Sequence, residues 1–185
     1  MWASRADLDA DTRAELERLC AVEPVLGEPH PDRLPACSER VRELLSPFED
    51  EHRGPAFLLP EALPHDPRAR EIAPDEARRW AEAFPWLAAE YDAIVPVAIA
   101  FEAGEPAALC HSARGWTAAA AEAGVSTREP FRGRGLARAA VACWARAVQR
   151  TGRVALYSTS WDNAASCAVA RALSGRLYAE NWSAV

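Results

Sequence analysis

Residues 132–135, with the sequence RGRG, stand immediately before a segment that has the periodicity of a helix. From Leu136 onward the apolar positions recur every three or four residues, which predicts a helix that ends near Gly152. The first N–H groups of a helix have no partners within it, and glycines let backbone donors approach a ligand closely. This stretch therefore predicts an anion site, most simply for a phosphate or pyrophosphate.

Two well-known phosphate-binding loops do not fit these residues. A Walker loop needs a lysine after its last glycine, and the chain contains no lysine at all. A dinucleotide-binding fingerprint that starts at Gly133 needs glycine or alanine where Arg138 stands, and an acid about 20 residues further on, which is missing. The phosphate would have to belong to another kind of ligand.

The stretch resembles the acetyl-CoA motif of the GNAT N-acetyltransferase superfamily. In that motif a strand precedes arginine or glutamine, then two residues, glycine, one residue, and glycine or alanine. Here the motif starts at Arg132 and ends at Ala137. Downstream, residues 156–173 resemble the next strand and helix of the family, with Asn163 where the family places an asparagine near the pantetheine arm. The resemblance covers roughly residues 96–185.

The resemblance implies a mixed α/β fold in which helices flank a β-sheet and two neighbouring parallel strands splay apart. CoA enters the gap between those strands, which residues 125–127 and 157–160 would line. The last third of the chain has the expected order strand, helix, strand, helix, strand, which agrees with such a sheet.

The resemblance also implies which residues bind acetyl-CoA, through backbone donors, arginine charges and the helix that follows the second strand. They are Val125, Thr127, Arg132, Gly133, Arg134, Gly135, Leu136, Ala137, Asn163 and Ser166. A simpler alternative remains open, in which the glycines only shape a turn, the arginines are solvated and Asn163 is a plain N-cap.

Acetyl transfer to an amine needs an uncharged nucleophile and a proton for the departing thiolate. Glu122 is the candidate base, because some family members carry a catalytic glutamate at this place. The usual proton donor is a tyrosine, and that position is Ala170 here. Tyr178 is the candidate replacement, with Tyr157 as an alternative.

The remaining segments give a coarse order of elements. We expect helices over residues 9–20, 38–47 and 74–84, a hairpin of residues 94–101 and 107–112, and strands over 116–127, 154–160 and 177–185. Residues 163–173 form a helix in this scheme, and 56–59 a short buried strand. We expect one domain over residues 1–185, with a variable, mostly helical part over 1–92 and an acetyl-CoA-binding core over 93–185.

Composition limits the partners. A formal charge of −6 and a pI near 5.3 argue against nucleic acid and favour a cationic partner such as an amine. No apolar run is long enough to cross a membrane, the start is too acidic for a signal peptide, and the five cysteines have no paired spacing. We therefore expect free thiols, no metal site and a cytoplasmic location.

The sequence favours an acetyl-CoA-dependent N-acetyltransferase that acts on a primary amine of a small molecule or peptide by direct attack in a ternary complex. Two alternatives keep the fold: a non-catalytic CoA-binding module and a protein-interaction module. The aromatic residues Trp80, Phe84 and Trp86 are candidates for the wall of an acceptor pocket. Little chain is left for a further closing strand, so a homodimer that completes the sheet is a hypothesis.

Overall fold

A seven-stranded mixed sheet forms the centre of the molecule, in a computed structural model that describes residues 8–24, 27–47, 51–113 and 117–184. The order of the strands is β2-β3-β4-β5-β6-β1-β7. Only β5 and β6 pair in parallel, and the other neighbours are antiparallel. The strands are β1 (Glu51–Leu58), β2 (Ala69–Glu71), β3 (Val97–Glu102), β4 (Glu105–Ser112), β5 (Ala120–Thr127), β6 (Val154–Ser158) and β7 (Arg176–Ala184).

Six α-helices accompany the sheet in the described ranges: α1 (Ala10–Val22), α2 (Ser38–Leu45), α3 (Pro74–Arg79), α4 (Leu87–Glu90), α5 (Leu136–Arg150) and α6 (Ala164–Ala172). None of them is both long enough and apolar enough to cross a membrane. The longest, α5, packs its apolar side against one face of the sheet, where Trp144, Val141 and Leu136 are at most 1% exposed. This helix is the element that the RGRG segment enters.

The opposite face of β3 and β4 is covered by the region of α3 and α4. Phe84, Leu87 and Ile94 form the centre of this second core and contact Ile99 and Leu109 of the sheet. Apolar residues that alternate along β4 thus serve both cores, since neighbouring side chains in a strand point to opposite faces. A central strand of this kind is apolar on both faces.

The expected sheet with flanking helices and a splayed parallel pair is confirmed, including a strand over the alanine-rich stretch before Gly124. The alanine run forms a strand although alanine favours helix, because its neighbours β4 and β6 pair with it on both sides. The structure describes this strand from Ala120, whereas Trp116, where we expected it to begin, lies outside the described residues, as does Val185.

Two local differences from the sequence-based scheme concern the helix at Pro74 and the stretch after β1. The helix at Pro74 ends at Arg79 and the chain turns there, although Phe84 is still buried at 2% exposure. The proline-rich stretch after β1 contains the short strand β2, which pairs with β3 through residues that follow Pro67. β2 forms by pairing with a segment about 30 residues further along the chain, and local periodicity does not report such pairing.

The first part of the chain contributes strands as well as helices. β1 lies between β6 and β7 and pairs with β7 from Glu51 to Leu58. Gly54 is needed there, since a Cβ at this position would collide with the carbonyl oxygen of Thr159. The division of the chain into a variable part and a core stays a prediction.

Candidate active site

The N-terminus of α5 is open toward solvent and has no side-chain cap. Gly135, the N-cap residue, and Gly133 both have φ of 76°, in the left-handed region that glycine adopts without strain. The first turn of the helix contains no acidic residue. Its first N–H groups are thus available to an anion, and the helix dipole adds partial positive charge.

The gap between β5 and β6 begins after three pairs of residues in which the two strands are paired. Their pairing runs from Ala120 opposite Val154 to Glu122 opposite Leu156. Beyond that point β5 continues to Thr127 along β4, while β6 continues along β1. The backbone of β5 after Glu122 therefore has an edge without a strand partner on the β6 side, where an extended amide-containing ligand can bind as a further strand does.

A cavity of about 850 Å³ joins this gap to the N-terminus of α5. It is walled by β5, the turn after it, the first turn of α5, Tyr157 of β6 and one side of α6. The predicted cofactor residues that line it are Val125, Thr127, Arg132, Gly133, Gly135, Leu136, Ala137, Asn163 and Ser166.

Arg134 is the predicted cofactor residue that the cavity wall does not include. Its guanidinium Nη1 lies 3.6 Å from Oε1 of Glu102, and the group stands 5.8 Å from the centre of the Phe131 ring. Arg132, in contrast, is in the wall. The two arginines of the RGRG segment thus face different surroundings.

The start of α6 forms the far wall of the cavity. Asn163 accepts a hydrogen bond from the backbone N–H of Ser166 through Oδ1, at 3.0 Å, and so acts as the N-cap. This bond leaves the amide Nδ2 of Asn163 available to a ligand. The hydroxyl groups of Ser166 and Tyr157 lie 2.6 Å apart.

Ala170, where the family usually has a tyrosine, is fully buried and lies one turn after Ser166 on α6. Tyr157 reaches the same side of α6 from β6, with its phenol in the cavity wall. Burial, as the main cause, raises the pKa of the Tyr157 phenol, so that it keeps its proton. The Tyr157 phenol therefore lies near Ala170, the position at which the resemblance would place a tyrosine.

Glu122 and Tyr178 lie away from the α5 side of the sheet. The residues before and after Glu122, Ala121 and Ala123, are buried against the core that contains α5, so Glu122 points to the opposite face. The Ser158 hydroxyl of β6 donates a hydrogen bond to the Glu122 carboxylate. Tyr178 is 46% exposed.

Tyr178 falls in an irregularity of β7. Phe57 pairs with Leu177 and Ala56 pairs with Ala179, which leaves Tyr178 between the two pairs. Burial first, and then the charge of Glu122, raise the pKa of the Tyr178 phenol. The two predicted catalytic residues are therefore close enough for their charges to interact, although they stand three strands apart in sheet order.

Two residues of this region were not predicted from the sequence: Arg138 and His111. Arg138 lines the cavity from the first turn of α5, a position that the helix periodicity could have indicated. His111 lies opposite Gly124 in the pairing of β4 with β5, and nothing local marks it, because strand register brings it to the site. Ser158, the last residue of β6, belongs to the segment that was expected to line the gap.

The aromatic residues proposed for the acceptor pocket separate into different environments. Phe84 is in the second core and Trp80 packs edge-on against Phe101, with ring centres 5.3 Å apart. Trp86 lies edge-on against His111, at 5.1 Å. Of these three, Trp86 is the one in contact with His111, the strand partner of Gly124 on β5.

All five cysteines are free thiols in the structure, and no cluster of three or more candidate metal ligands occurs within its described residues. A second cavity, of about 880 Å³, lies at the far end of α5 and includes Arg146, Arg150 and Arg176. It has no contact with the gap between β5 and β6, so cavity size alone does not select the candidate active site. The unpaired strand edge and the open helix N-terminus do.

Comparison with known proteins agrees with this geometry. Residues 42–175 match the family model of the acetyltransferase (GNAT) domain. A comparison with curated protein sequences found no significant match.

Solved structures resemble the fold at low sequence identity. A GNAT-family protein from Novosphingobium aromaticivorans has a TM-score of 0.61 and 18% identity, over 74% of this chain and 65% of that one. A GCN5-related N-acetyltransferase-like protein from Streptococcus suis has a TM-score of 0.53 and 16% identity, over 81% and 68% of the two chains. A GCN5-related N-acetyltransferase from Sphaerobacter thermophilus has a TM-score of 0.53 and 20% identity, over 78% and 54%.

The matched region thus spans about two thirds or less of these longer chains, and at such identities the likeness concerns the fold. The family model covers most of this chain, including the RGRG segment, β5, β6 and α6. The chain belongs to the GNAT acetyltransferase family.

Proposed function

We propose that this protein is an acetyl-CoA-dependent N-acetyltransferase that transfers an acetyl group to a primary amine of a small molecule or peptide, by direct attack in a ternary complex. The observation that carries the proposal is the continuity of one cavity from the uncapped N-terminus of α5 to the unpaired edge of β5. A ligand with a pyrophosphate at one end and an amide-containing arm matches these two features.

The donor groups along the cavity fit acetyl-CoA. The first N–H groups of α5 would bind the pyrophosphate, and Arg132 adds a charge-assisted hydrogen bond. The backbone of β5 from Val125 to Thr127 would pair with the pantetheine amides, and the Asn163 amide and the Ser166 hydroxyl face the arm from α6. Arg134 would contribute only long-range charge, because its guanidinium lies beside Glu102.

When bound, acetyl-CoA supplies a thioester whose carbonyl carbon accepts the amine. We propose that Glu122 attracts the cationic amine and takes one of its protons, so that the nitrogen lone pair is free to attack. The N–C bond forms and the C–S bond breaks; a phenol gives its proton to the departing thiolate, and the phenolate so formed takes the second proton from the nitrogen, which leaves the amide, the CoA thiol and a protonated Glu122. The position of Tyr157 in the cavity wall favours it as that donor, and Tyr178, near Glu122, is the second candidate.

Calorimetric titration with acetyl-CoA tests the cofactor. The two arginines of the RGRG segment provide a matched pair, because Arg132→Gln and Arg134→Gln remove the same charge but only Arg132 lines the cavity. We expect R132Q to weaken binding about tenfold, as the loss of one charge-assisted hydrogen bond does, and R134Q to weaken it much less. NAD, with a pyrophosphate but no pantetheine, should not bind.

Release of the CoA thiol with a panel of primary amines then tests the transfer. Because the chain contains no lysine, no side-chain amine of the enzyme itself contributes to background acetylation. Tyr157→Phe should lower turnover more than Tyr178→Phe, with little change in acetyl-CoA affinity. The reverse order would move the donor role to Tyr178.

Two outcomes would favour the alternatives. Binding of acetyl-CoA without acetylation of any amine would indicate a non-catalytic CoA-binding module, for which the alanine at position 170 is the sequence argument. No binding at all would leave a protein-interaction module with the GNAT fold.

We further propose that the protein acts in the cytoplasm on a small-molecule or peptide amine, and not on nucleic acid, in keeping with its charge of −6. A homodimer would have to form without completing the sheet between β6 and β7, because β1 holds that position. A sedimentation mass equal to one chain would contradict the homodimer.

A further inference from the structure

A row of side chains crosses the face of the sheet opposite α5. Gly124 of β5 lies opposite His111 of β4, and Glu122 is two residues before Gly124, so all three share one face. Ser158 of β6 donates its hydroxyl hydrogen to Glu122 from the other side. The row thus consists of an imidazole, a glycine and a carboxylate, ending at the gap between β5 and β6.

Two contacts fix the orientation of the His111 ring. Trp86 packs edge-on against it, and Nδ1 lies 3.0 Å from the backbone carbonyl oxygen of Ser112. A carbonyl only accepts hydrogen bonds, so in the neutral ring Nδ1 carries the hydrogen and Nε2 is an acceptor. Nε2 itself has no hydrogen-bond partner within the described part of the chain.

The ring lies directly over the backbone of β5. A Cβ added at Gly124 would be 2.5 Å from Nε2 and 2.6 Å from Cε1 of His111, which real Cβ atoms do not tolerate. Glycine therefore allows the imidazole to reach the strand at the residue just before Val125. By the proposed function, the backbone next to this point holds the end of the pantetheine arm.

We infer that His111 is a further catalytic residue, whose Nε2 accepts a hydrogen bond from the acceptor amine while Glu122 holds the same nitrogen by charge. The inference rests on the proposed function. A primary ammonium carries three N–H donors, so it can bind the carboxylate and the imidazole at once. After Glu122 takes one proton, the bond to Nε2 keeps the neutral nitrogen oriented with its lone pair toward the thioester.

The surroundings of His111 keep the ring neutral. Burial is the largest cause that lowers its pKa from the ordinary value, and the Ser112 carbonyl and the charge of Glu90 on α4 oppose it. Trp86 faces the ring from the N-cap position of α4, and Gly124 and Glu122 share its face on β5. As pH falls through the lowered pKa, Nε2 becomes a donor and the ring a cation, so amine binding should be lost.

The experiment uses two thioethers that bind without reacting. S-(2-aminoethyl)-CoA presents a primary ammonium next to the sulfur, and S-ethyl-CoA lacks it. We expect the wild-type protein to prefer the aminoethyl compound about tenfold, as one hydrogen bond to a charged group allows. The preference should disappear toward acidic pH.

His111→Gln should abolish most of this preference and its dependence on pH, with unchanged affinity for S-ethyl-CoA. His65→Gln, at an exposed loop residue, is the control. It should retain the preference for the aminoethyl compound and the dependence of that preference on pH. Gly124→Ala should act as H111Q does, because the new Cβ displaces the ring without removing it. This second variant also keeps the test decisive if H111Q folds poorly.

A preference that survives in both H111Q and G124A would overturn the inference, as would a wild-type protein that binds the two thioethers equally. Failure of the proposed function has a different signature, in which neither thioether nor acetyl-CoA binds. Loss of S-ethyl-CoA affinity in H111Q would also count against the inference, since it would indicate a structural role for the histidine.

Discussion

Two glycines with nearly the same positive φ flank α5, and they allow the phosphate site to be tested apart from stability. Gly135 precedes the helix with φ of 76°, and Gly152 follows it with φ of 78°. At neither position would an added Cβ meet another atom within 4 Å. Alanine at either position therefore meets no steric obstacle, and its cost is that of the left-handed conformation or of a local shift of the backbone away from it.

That cost is about 1–2 kcal/mol per residue. For a domain of this size it should lower the melting temperature by roughly 2–8 °C in Gly135→Ala and in Gly152→Ala alike. Thermal unfolding followed by circular dichroism measures this loss. Because the two φ angles differ by only 2°, the two losses should agree closely.

Affinity for acetyl-CoA should separate the two variants. A change of backbone at Gly135 turns the first N–H groups of α5 away from the pyrophosphate, and each charge-assisted hydrogen bond lost weakens binding by about tenfold or more. Gly152 lies at the other end of the helix, outside the cavity of Gly135. Calorimetric titration should thus show weaker binding in G135A alone.

The reasoning fails if G152A weakens acetyl-CoA binding as much as G135A does, because the effect would then follow from stability. It fails equally if G135A keeps the wild-type affinity while losing stability, since the helix N-terminus would then not hold the phosphates. Acetyl-CoA at 100 times Kd should add about 2.7 kcal/mol to the free energy of unfolding. The corresponding gain in melting temperature gives an independent measure of the same affinities.

Other substitutions test the packing around the site. Gly54→Ala should destabilise the protein by at least about 2 kcal/mol in denaturant unfolding, because the new Cβ collides with a backbone carbonyl of the loop after β6. Ser112→Ala should cost about 1–3 kcal/mol, since it leaves the fully buried Trp144 N–H without its hydroxyl partner at 3.3 Å. The Tyr178 phenol has a raised pKa partly through the charge of Glu122, so E122Q should shift its alkaline titration, followed by tyrosinate absorbance, to lower pH. Unchanged values in any of these would contradict the corresponding contact.

The parts of the fold that depend on residues close together in the sequence could be predicted. The residues from Leu136 to Gly152 specify a helix and its two ends by periodicity and by glycines with positive φ, and the structure confirms α5 there. The N-cap at Asn163 follows from its side chain and the next turn of α6. The strand nature of the alanine run, in contrast, came from resemblance, since alanine alone favours a helix.

The acceptor side of the candidate site depends on pairing between distant segments. Pairing of β4 with β5 places His111 over Gly124, and pairing of β5 with β6 stops at Glu122, which opens the gap. No local pattern records a register or the point at which two strands part. Arg134 shows the same limit, since only the folded chain brings Glu102 beside it and away from the cavity.

Local sequence preferences were enough to predict the helix and the glycine turn, and with them a candidate anion site, because these features depend on backbone preferences within a few residues. Tertiary structure decided that β1 lies between β6 and β7, that Tyr157 reaches α6, and that His111 and Glu122 share one face. The physical reason is that strand pairing is chosen by burial and hydrogen bonding summed over the whole sheet.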